Sequence, residues 1–453
     1  QYGCHNTFRS CISQNNSGQG MVISSASSSS YINCFANNNG ENGFQTLINT
    51  TNITMNSCQG LNNDVGGLSI EGFSSDINVT GCIFSGNSLN GIETSPGTLT
   101  ATFKGCTVRY NGQDGIDIDG GNNIVDASVI GDNARYGIRS GNNCSISNNQ
   151  VSNNVSRGID LETDDFCQVN GNFITGSADG IYSNRGNNTI SGNTVQANTR
   201  GIFLEVENQN IVSSNQILDN TGDGIFLLNA DGNKISDNVI NNNGGTGVNI
   251  SNCNDTTVNS NTVLNSGAWG IDVDGDTCMI VGNRVFGNTS GGVLIDTGAT
   301  DVTYFSNHTQ GNTGPDFSDL GTITGTYEAV LANEFEARSA TTLLIGPAIA
   351  TKVEIADSGV VTEVQGNLDA LEGVDVTGNG TITGYWQFDD MTAPANPADG
   401  EGRLYKKTGD DGIFWKPDST GVEKDLTDTS GDVFGPGSAL DLEVAVFDGT
   451  TGK

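Results

Sequence analysis

The chain has 453 residues, 63 of them glycine and 7 proline, and only 34% are hydrophobic; this composition does not describe the three ordinary globular cores its length would suggest. No window holds the ~18 consecutive apolar residues of a membrane-spanning helix, which excludes bilayer insertion of that kind. The 52 acidic residues against 18 basic ones give a net charge of −34, which repels phosphate backbones and anionic lipid heads and excludes nucleic acid as a partner. Residue 1 is Gln and no signal peptide is visible, so a processed chain or a fragment is expected.

In chain order, a Gly followed by an apolar residue recurs thirteen times at intervals of 21 to 24 residues, from Gly20-Met21 through Gly91-Ile92, Gly158-Ile159 and Gly224-Ile225 to Gly292-Val293. Each unit reads as two short strands separated by polar turns, as in Ile159–Glu162 and Ile190–Val195. One unit cannot bury its own apolar face, whereas stacked units can. The period-2 alternation makes the stack one of strands. The expected fold is all-β: a right-handed parallel β-helix of about 13 turns, forming a rod of roughly 60 Å at ~4.8 Å per turn.

Nine residues before most of the early Gly markers stand Cys11, Cys34, Cys58, Cys82 and Cys106, and the same place in later turns holds Asn149, Asn172, Asn193, Asn215, Asn238, Asn261 and Asn283. A second mixed column contains Cys144, Cys167, Asn188, Asn210, Asn233 and Cys278. Inward Asn amides hydrogen-bond from turn to turn, and a small thiol fits the same slot. The ten cysteines are therefore expected to be free packing residues, with neither a CxxC pair nor histidines at metal-ligand spacing.

Six of the seven prolines follow residue 314, which places the end of the rod (residues 1–312) near 313. Residues 313–390 read as a β-rich stem, including Thr351–Ile355 and Thr381–Trp386. They lack a private core, so trimerisation is expected. Within 391–430, Arg403–Lys407 and Ile413–Lys416 flank an Asp411-Gly412 turn and read as a hairpin. The Gly/Asp-rich stretch 431–453 reads as a link to further chain.

Residues 1–312 resemble the pectate-lyase-like right-handed β-helix superfamily, which includes polysaccharide lyases, hydrolases, epimerases and viral tailspikes. The phrases Leu368–Asn379, Pro394–Pro397 through Arg403–Tyr405, and Val446–Lys453 are similar to segments of bacteriophage tail-fibre and other virion appendage proteins. That resemblance, over roughly residues 350–453, implies a homotrimeric virion fibre or spike. Such a protein is extracellular, contacts host-surface polysaccharide and joins other virion fibre proteins. No catalytic motif of the superfamily aligns with this sequence; the Gly-His-Gly signature of galacturonan hydrolases is absent.

Chemistry is expected on the outward positions two and four residues after each marker Gly. The first column runs Glu93, Asp117, Arg139, Asp160, Tyr182, Phe203, Phe226, Asn249, Asp272; the second includes Glu71, Asp119, Glu162, Asn184, Glu205 and Asp274. Asp117 and Asp160, two turns apart with Arg139 between them, and Glu162 on the Asp160 strand are the candidate catalytic carboxylates of a glycosidase. Tyr182, Phe203 and Phe226 supply rings for sugar stacking, with Glu93 and Glu205 beside them. For a lyase only Arg139, Arg185 and Tyr182 are suitably placed, since His5 and His308 fall at the two ends of the rod. Asp272, Asp274 and Asp276 have the carboxylate density of a Ca²⁺ loop, although no cofactor is required. Two functional classes remain open: an attachment fibre presenting a glycan-contact face, and a secreted or virion-borne polysaccharide depolymerase, a hydrolase or lyase, acting on the same face. A merely solvated acidic face is the alternative to both.

Overall fold

A computed structural model describes residues 6–321, apart from 24–26, 48, 162–164 and 207–208, together with the short segments 335–336, 390–391, 403–407, 413–416 and 424–425. The expected strands at 351–355 and 381–386, the Asp411-Gly412 turn, the stretch 431–453, His5 and the candidate Glu162 lie outside the described residues. The chain divides into two units, residues 1–351 and 352–453.

The first unit is a coil of three parallel sheets with 14, 14 and 15 strands, each turn adding one strand to each sheet. Thr189–Ser191, Thr194–Gln196 and Arg200–Glu205 form one such turn. The sequence reading of two strands per turn is thereby corrected. The run Ile190–Val195 is broken by a corner at Gly192, whose φ of +64° lies in the left-handed region, and Asn148 (φ 56°) and Ser214 (φ 58°) do the same in neighbouring turns. One left-handed residue redirects the chain and shifts the inward phase by one: Ile190, Asn193 and Val195 are buried while Gly192 is exposed. The three-residue gap between the inward positions Ile190 and Asn193 is the mark of the corner in the sequence.

Like stacks on like inside the coil. Ile92, Ile116, Ile138, Ile159, Ile181 and Ile202 are successive partners in the third sheet and none has exposed surface; each such burial stabilises the fold by about 1.5–3 kcal/mol. The marker glycines precede these strands because the chain passes too close to its neighbours for a side chain: a Cβ on Gly180 would lie 2.3 Å from Val195 Cγ1 and 2.7 Å from the Gly201 carbonyl oxygen. The coil continues past the expected end near 313. Phe317–Asp319 pairs with Val293–Ile295 in the third sheet, and Phe335–Glu336 pairs with Phe317 and Ser318. Asp316 stands where a marker Gly was sought, which hid this turn from the repeat count.

The inward columns are ladders. In the Asn column each amide nitrogen donates to the next amide oxygen, from Asn149 to Asn172 at 3.0 Å through Asn283 to Asn307 at 2.9 Å. Each also donates to a core-strand carbonyl, as Asn193 Nδ2 does to the Val169 oxygen at 2.8 Å. Cys34, Cys58, Cys82 and Cys106 are buried in the earlier turns of that column, and the described cysteines are all free thiols. A third ladder, not found from the sequence, runs from Asn39 through Asn63, Asn87, Asn111 and Asn133 to Asn154. Its members recur with the period of the first two, five residues after the Asn149-type position.

In the second unit Arg403–Lys407 pairs antiparallel with Ile413–Lys416, and Asp390–Met391 and Lys424–Asp425 complete a four-stranded sheet. Among the described residues no helix is long and apolar enough to cross a membrane.

Candidate functional site

The outer face of the third sheet carries the column read from the sequence. Glu93 lies opposite Asp117, Asp117 opposite Arg139, Arg139 opposite Asp160, and Asp160 opposite Tyr182; Phe203, Phe226, Asn249 and Asp272 follow in register.

Its solvent exposure differs from the expectation. Asp160 has 0% of its surface exposed, Asp117 7%, Tyr182 3% and Phe203 5%. The cause is a second outer row, which the sequence reading missed although it stands immediately before the marker glycines: Asp114, Tyr136, Arg157, Asp179, Arg200 and Asp223. Its long arginines fold across the column. Arg157 Nη1 pairs with Asp160 Oδ2 at 3.0 Å, and its guanidinium carbon lies 3.3 Å from the centre of the Tyr182 ring. Arg200 covers Phe203 at 3.9 Å while its Nε pairs with Asp179 at 2.7 Å. Tyr182 and Phe203 are therefore occupied by cation–π contacts instead of being free to stack on sugar. Phe226 is half-buried and stacks on Phe203 with ring centres 5.1 Å apart. Glu205 accepts from the Tyr182 hydroxyl at 2.7 Å.

Asp117 and Asp160 also do not face each other as a bare pair. Arg139 Nη1 bridges Asp117 at 2.9 Å and Asp119 at 3.1 Å, while Asp160 is held by Arg157. Asn90 Nδ2 donates to the second Asp117 oxygen at 3.3 Å. Burial pushes the Asp117 carboxyl up to about 6; Arg139 opposes this, and the neighbouring carboxylates Asp114 and Asp119 reinforce it. Glu93 is shifted the same way, first by burial and then by Asp119. The carboxylate in register with Asp117 and perturbed with it is thus Glu93, one turn away.

Asp272 and Asp274 lie on one strand, and burial together with Asp296, Asp274 and Asp223 raises the Asp272 carboxyl to about 7. Asp276 lies in the following corner, where its Oδ1 accepts from Thr300 N at 2.9 Å and Thr300 Oγ1 at 2.6 Å. Among the described residues no three His, Cys, Asp or Glu side chains converge as a metal site would require. Arg185 lies beyond the strand, in the corner closed by Ser183. His308 is in the second sheet against Phe286, away from this face.

Towards the early turns the column opens into a groove of about 500 Å³ lined by Ser69, Glu71, Phe73, Glu93, Ser95 and Pro96, among others. Phe73 is 72% exposed. Glu71 follows the strand Leu68–Ile70 and Phe73 lies in the bend after it; Glu71 was counted in the outward column, whereas Phe73 was not found from the sequence.

Among solved structures the chain is similar to a double mutant of the periplasmic alginate epimerase AlgG, with 14% identity, 63% of this chain and 76% of that chain covered, and a TM-score of 0.45. It is similar to the A-module of the Azotobacter vinelandii mannuronan C-5 epimerase AlgE6 at 14% identity, 72% and 91% coverage and a TM-score of 0.38. It is also similar to the Dettilon tailspike protein at 14% identity, 65% and 61% coverage and a TM-score of 0.34. No curated protein matches the sequence significantly. The sequence matches the family described as the right handed beta helix region over residues 1–134, 74–174, 136–284 and 179–327. With its three stacked parallel sheets and inward ladders, the chain belongs to the right-handed β-helix family.

Proposed function

We propose that the chain is an attachment fibre or spike that contacts polysaccharide along the outer face of its third sheet. The observation that carries this reading is the continuity of that face: carboxylates, arginines and rings from successive turns are held in register and lead into an open groove beside an exposed phenylalanine. Sugars need such a surface, with fixed hydrogen-bonding groups next to apolar platforms. The reading of a homotrimer on a virion rests on the resemblance of residues 350–453 to tail-fibre segments. Binding of fluorescently labelled host-surface polysaccharides to the full chain, weakened by Phe226→Ala, tests the glycan-contact reading; no binding to any of them refutes it. Sedimentation equilibrium tests assembly, with a trimer expected and a monomer at micromolar concentration counting against the fibre.

A second reading, a depolymerase, is favoured by Glu93 and Asp117. They are opposite in register on neighbouring strands, whose backbones lie about 4.8 Å apart, a placement that brings two carboxyl side chains of adjacent turns together as a retaining glycosidase requires. Asp117 near 6 is suited to donate a proton at neutral pH. This pair replaces Asp117 with Asp160, because Asp160 has no exposed surface and is paired with Arg157. New reducing ends produced by the wild type and lost in Asp117→Asn establish turnover; binding without products leaves the attachment reading alone.

A further inference from the structure

The groove between Glu71 and Glu93 has one-sided hydrogen-bonding chemistry. Its charged lining groups are two carboxylates, with no Lys or Arg among the described residues of its walls. Beside it Gln45, only 5% exposed, donates its amide nitrogen to Glu71, which fixes the amide's orientation and leaves its Oε1 buried without a donor. Apart from the hydroxyls of Ser69 and Ser95, the polar side chains of the groove walls are carboxylates, so the groove favours a ligand that donates hydrogen bonds and carries positive charge. The second feature is apolar. Phe73 follows Gly72 (φ +62°), and a Cβ added to Gly97 would sit 3.0 Å from Phe73 Cδ1. The ring therefore rests directly on glycine backbone while most of its surface faces solvent. An exposed aromatic ring so supported is a platform for the C–H face of a pyranose.

We propose that this groove is a subsite for an amino sugar with a free ammonium group, the ring of the sugar lying on Phe73 and its nitrogen between Glu71 and Glu93. The proposal rests on the glycan-contact reading of the face and names the sugar chemistry at one place on it. An ammonium donates three hydrogen bonds and carries the charge that two neighbouring carboxylates lack. A uronate presents a carboxylate to the same walls and is repelled; an N-acetylated sugar keeps the pyranose face but loses the cation.

The test is titration calorimetry of the full-length chain with a glucosamine hexamer, an N-acetylglucosamine hexamer and an oligouronate, at 0.15 M salt. The expected order is the glucosamine oligomer binding at least about tenfold more tightly than its N-acetylated form, with the oligouronate not binding. Phe73→Ala is expected to weaken glucosamine binding by about tenfold. Glu93→Gln is expected to weaken it by about fivefold or more and to weaken N-acetylglucosamine binding less, since the acetamide brings no cation to the lost carboxylate. Because the whole chain is strongly acidic, unspecific attraction of a cationic oligomer predicts equal binding to wild type and Phe73→Ala, and that result overturns the subsite. Tight oligouronate binding that competes with glucosamine also overturns it. If Phe73→Ala is without effect but Phe226→Ala abolishes polysaccharide binding, the subsite fails while the glycan-contact face stands; if no glycan binds the wild type, both fail.

Discussion

Arg157 holds Asp160 and Tyr182 at once: its Nη1 is 3.0 Å from the buried carboxylate, and its guanidinium carbon lies 3.3 Å from the centre of the ring one turn above. Removing that side chain leaves Asp160, with no exposed surface, deprived of this positive partner, and uncovers the Tyr182 ring. Breaking a buried ion pair from one side costs about 3–5 kcal/mol, so Arg157→Ala is expected to lower the thermal unfolding midpoint sharply. Arg157→Ala combined with Asp160→Asn should recover much of the loss, because the buried charge that lost this partner is gone. Equal midpoints for the single and double variants would show that Asp160 does not need this partner.

Asn215 occupies four hydrogen bonds within the coil. Its Oδ1 accepts from Asn193 N at 2.9 Å and from Asn193 Nδ2 at 3.0 Å, and its Nδ2 donates to the Ile190 oxygen at 2.9 Å and to Asn238 Oδ1 at 3.0 Å. Asn215→Ala strands these partners away from water. Each buried group left unmet costs about 1–3 kcal/mol, so urea unfolding should show a loss of at least about 2 kcal/mol. Asn215→Asp should be worse still, since it buries a charge and puts an acceptor where the ladder needs a donor. Near-neutral behaviour of the alanine variant would mean that the ladder follows the fold and does not hold it.

The repeat, two of the inward columns and the order of the outer column were legible because each is a one-dimensional pattern. A residue that recurs every turn at one offset must stack on its equivalents, so Glu93, Asp117, Arg139 and Asp160 could be ordered without coordinates. What could not be read was what long side chains do after leaving the backbone. Arg157 and Arg200 belong to the row before the marker glycine, yet their guanidinium groups end over Tyr182 and Phe203; alternation says which way a side chain starts and not where its far end rests. The corner at Gly192 was hidden for a different reason. A slip of one residue, with Ile190 and Asn193 both inward and three apart, is easily lost in a six-residue run, and the left-handed φ marks the same place.

Asp272 makes stability depend on pH in an unusual direction. Its carboxyl is raised from 3.8 to about 7, chiefly by burial and then by Asp296, Asp274 and Asp223, and its Oδ1 has no hydrogen-bond partner. Above pH 7 it is ionised in both folded and unfolded chains, and the fold bears the full penalty. As the pH falls from about 7 towards about 4, the folded form takes up the proton first, so stability rises on acidification. Asp117, raised to about 6, acts in the same sense. Asp126, held down first by the hydrogen bond from Asn148, acts in the opposite sense below its ordinary value. Asp272→Asn is therefore expected to stabilise the protein at pH 8 by on the order of 2 kcal/mol. Thermal midpoints measured from pH 8 to 4 should also rise less in the variant than in the wild type. Parallel curves for the two proteins would show that Asp272 titrates normally.

Cys82 tests the equivalence of thiol and amide in one ladder position. Cys58 N lies 3.3 Å from Cys82 Sγ, and Ser128 N lies 2.9 Å from Asn149 Oδ1, so the two side chains receive the same backbone group in different turns. Cys82→Asn therefore keeps an acceptor in place at a site where asparagine already serves the later turns. Cys82→Leu removes it and adds volume between Cys58 and Cys106, both buried, where overpacking costs about 1–3 kcal/mol. Burial should keep the thiols inert: Cys106 is pushed up to about 11 and Cys278 to about 12, in both cases first by burial, and Cys58, pulled down to about 7 first by its hydrogen bond with Cys82, has no exposed surface for a reagent to reach. Thiol labelling of the native protein should mark the half-buried Cys11 before Cys34, Cys58, Cys82 or Cys106, which should react only after denaturation. Fast native labelling of Cys82, or a leucine variant as stable as the asparagine one, would require the ladder to face solvent. The register of the outer face, which is counted from the same turns, would then shift with it.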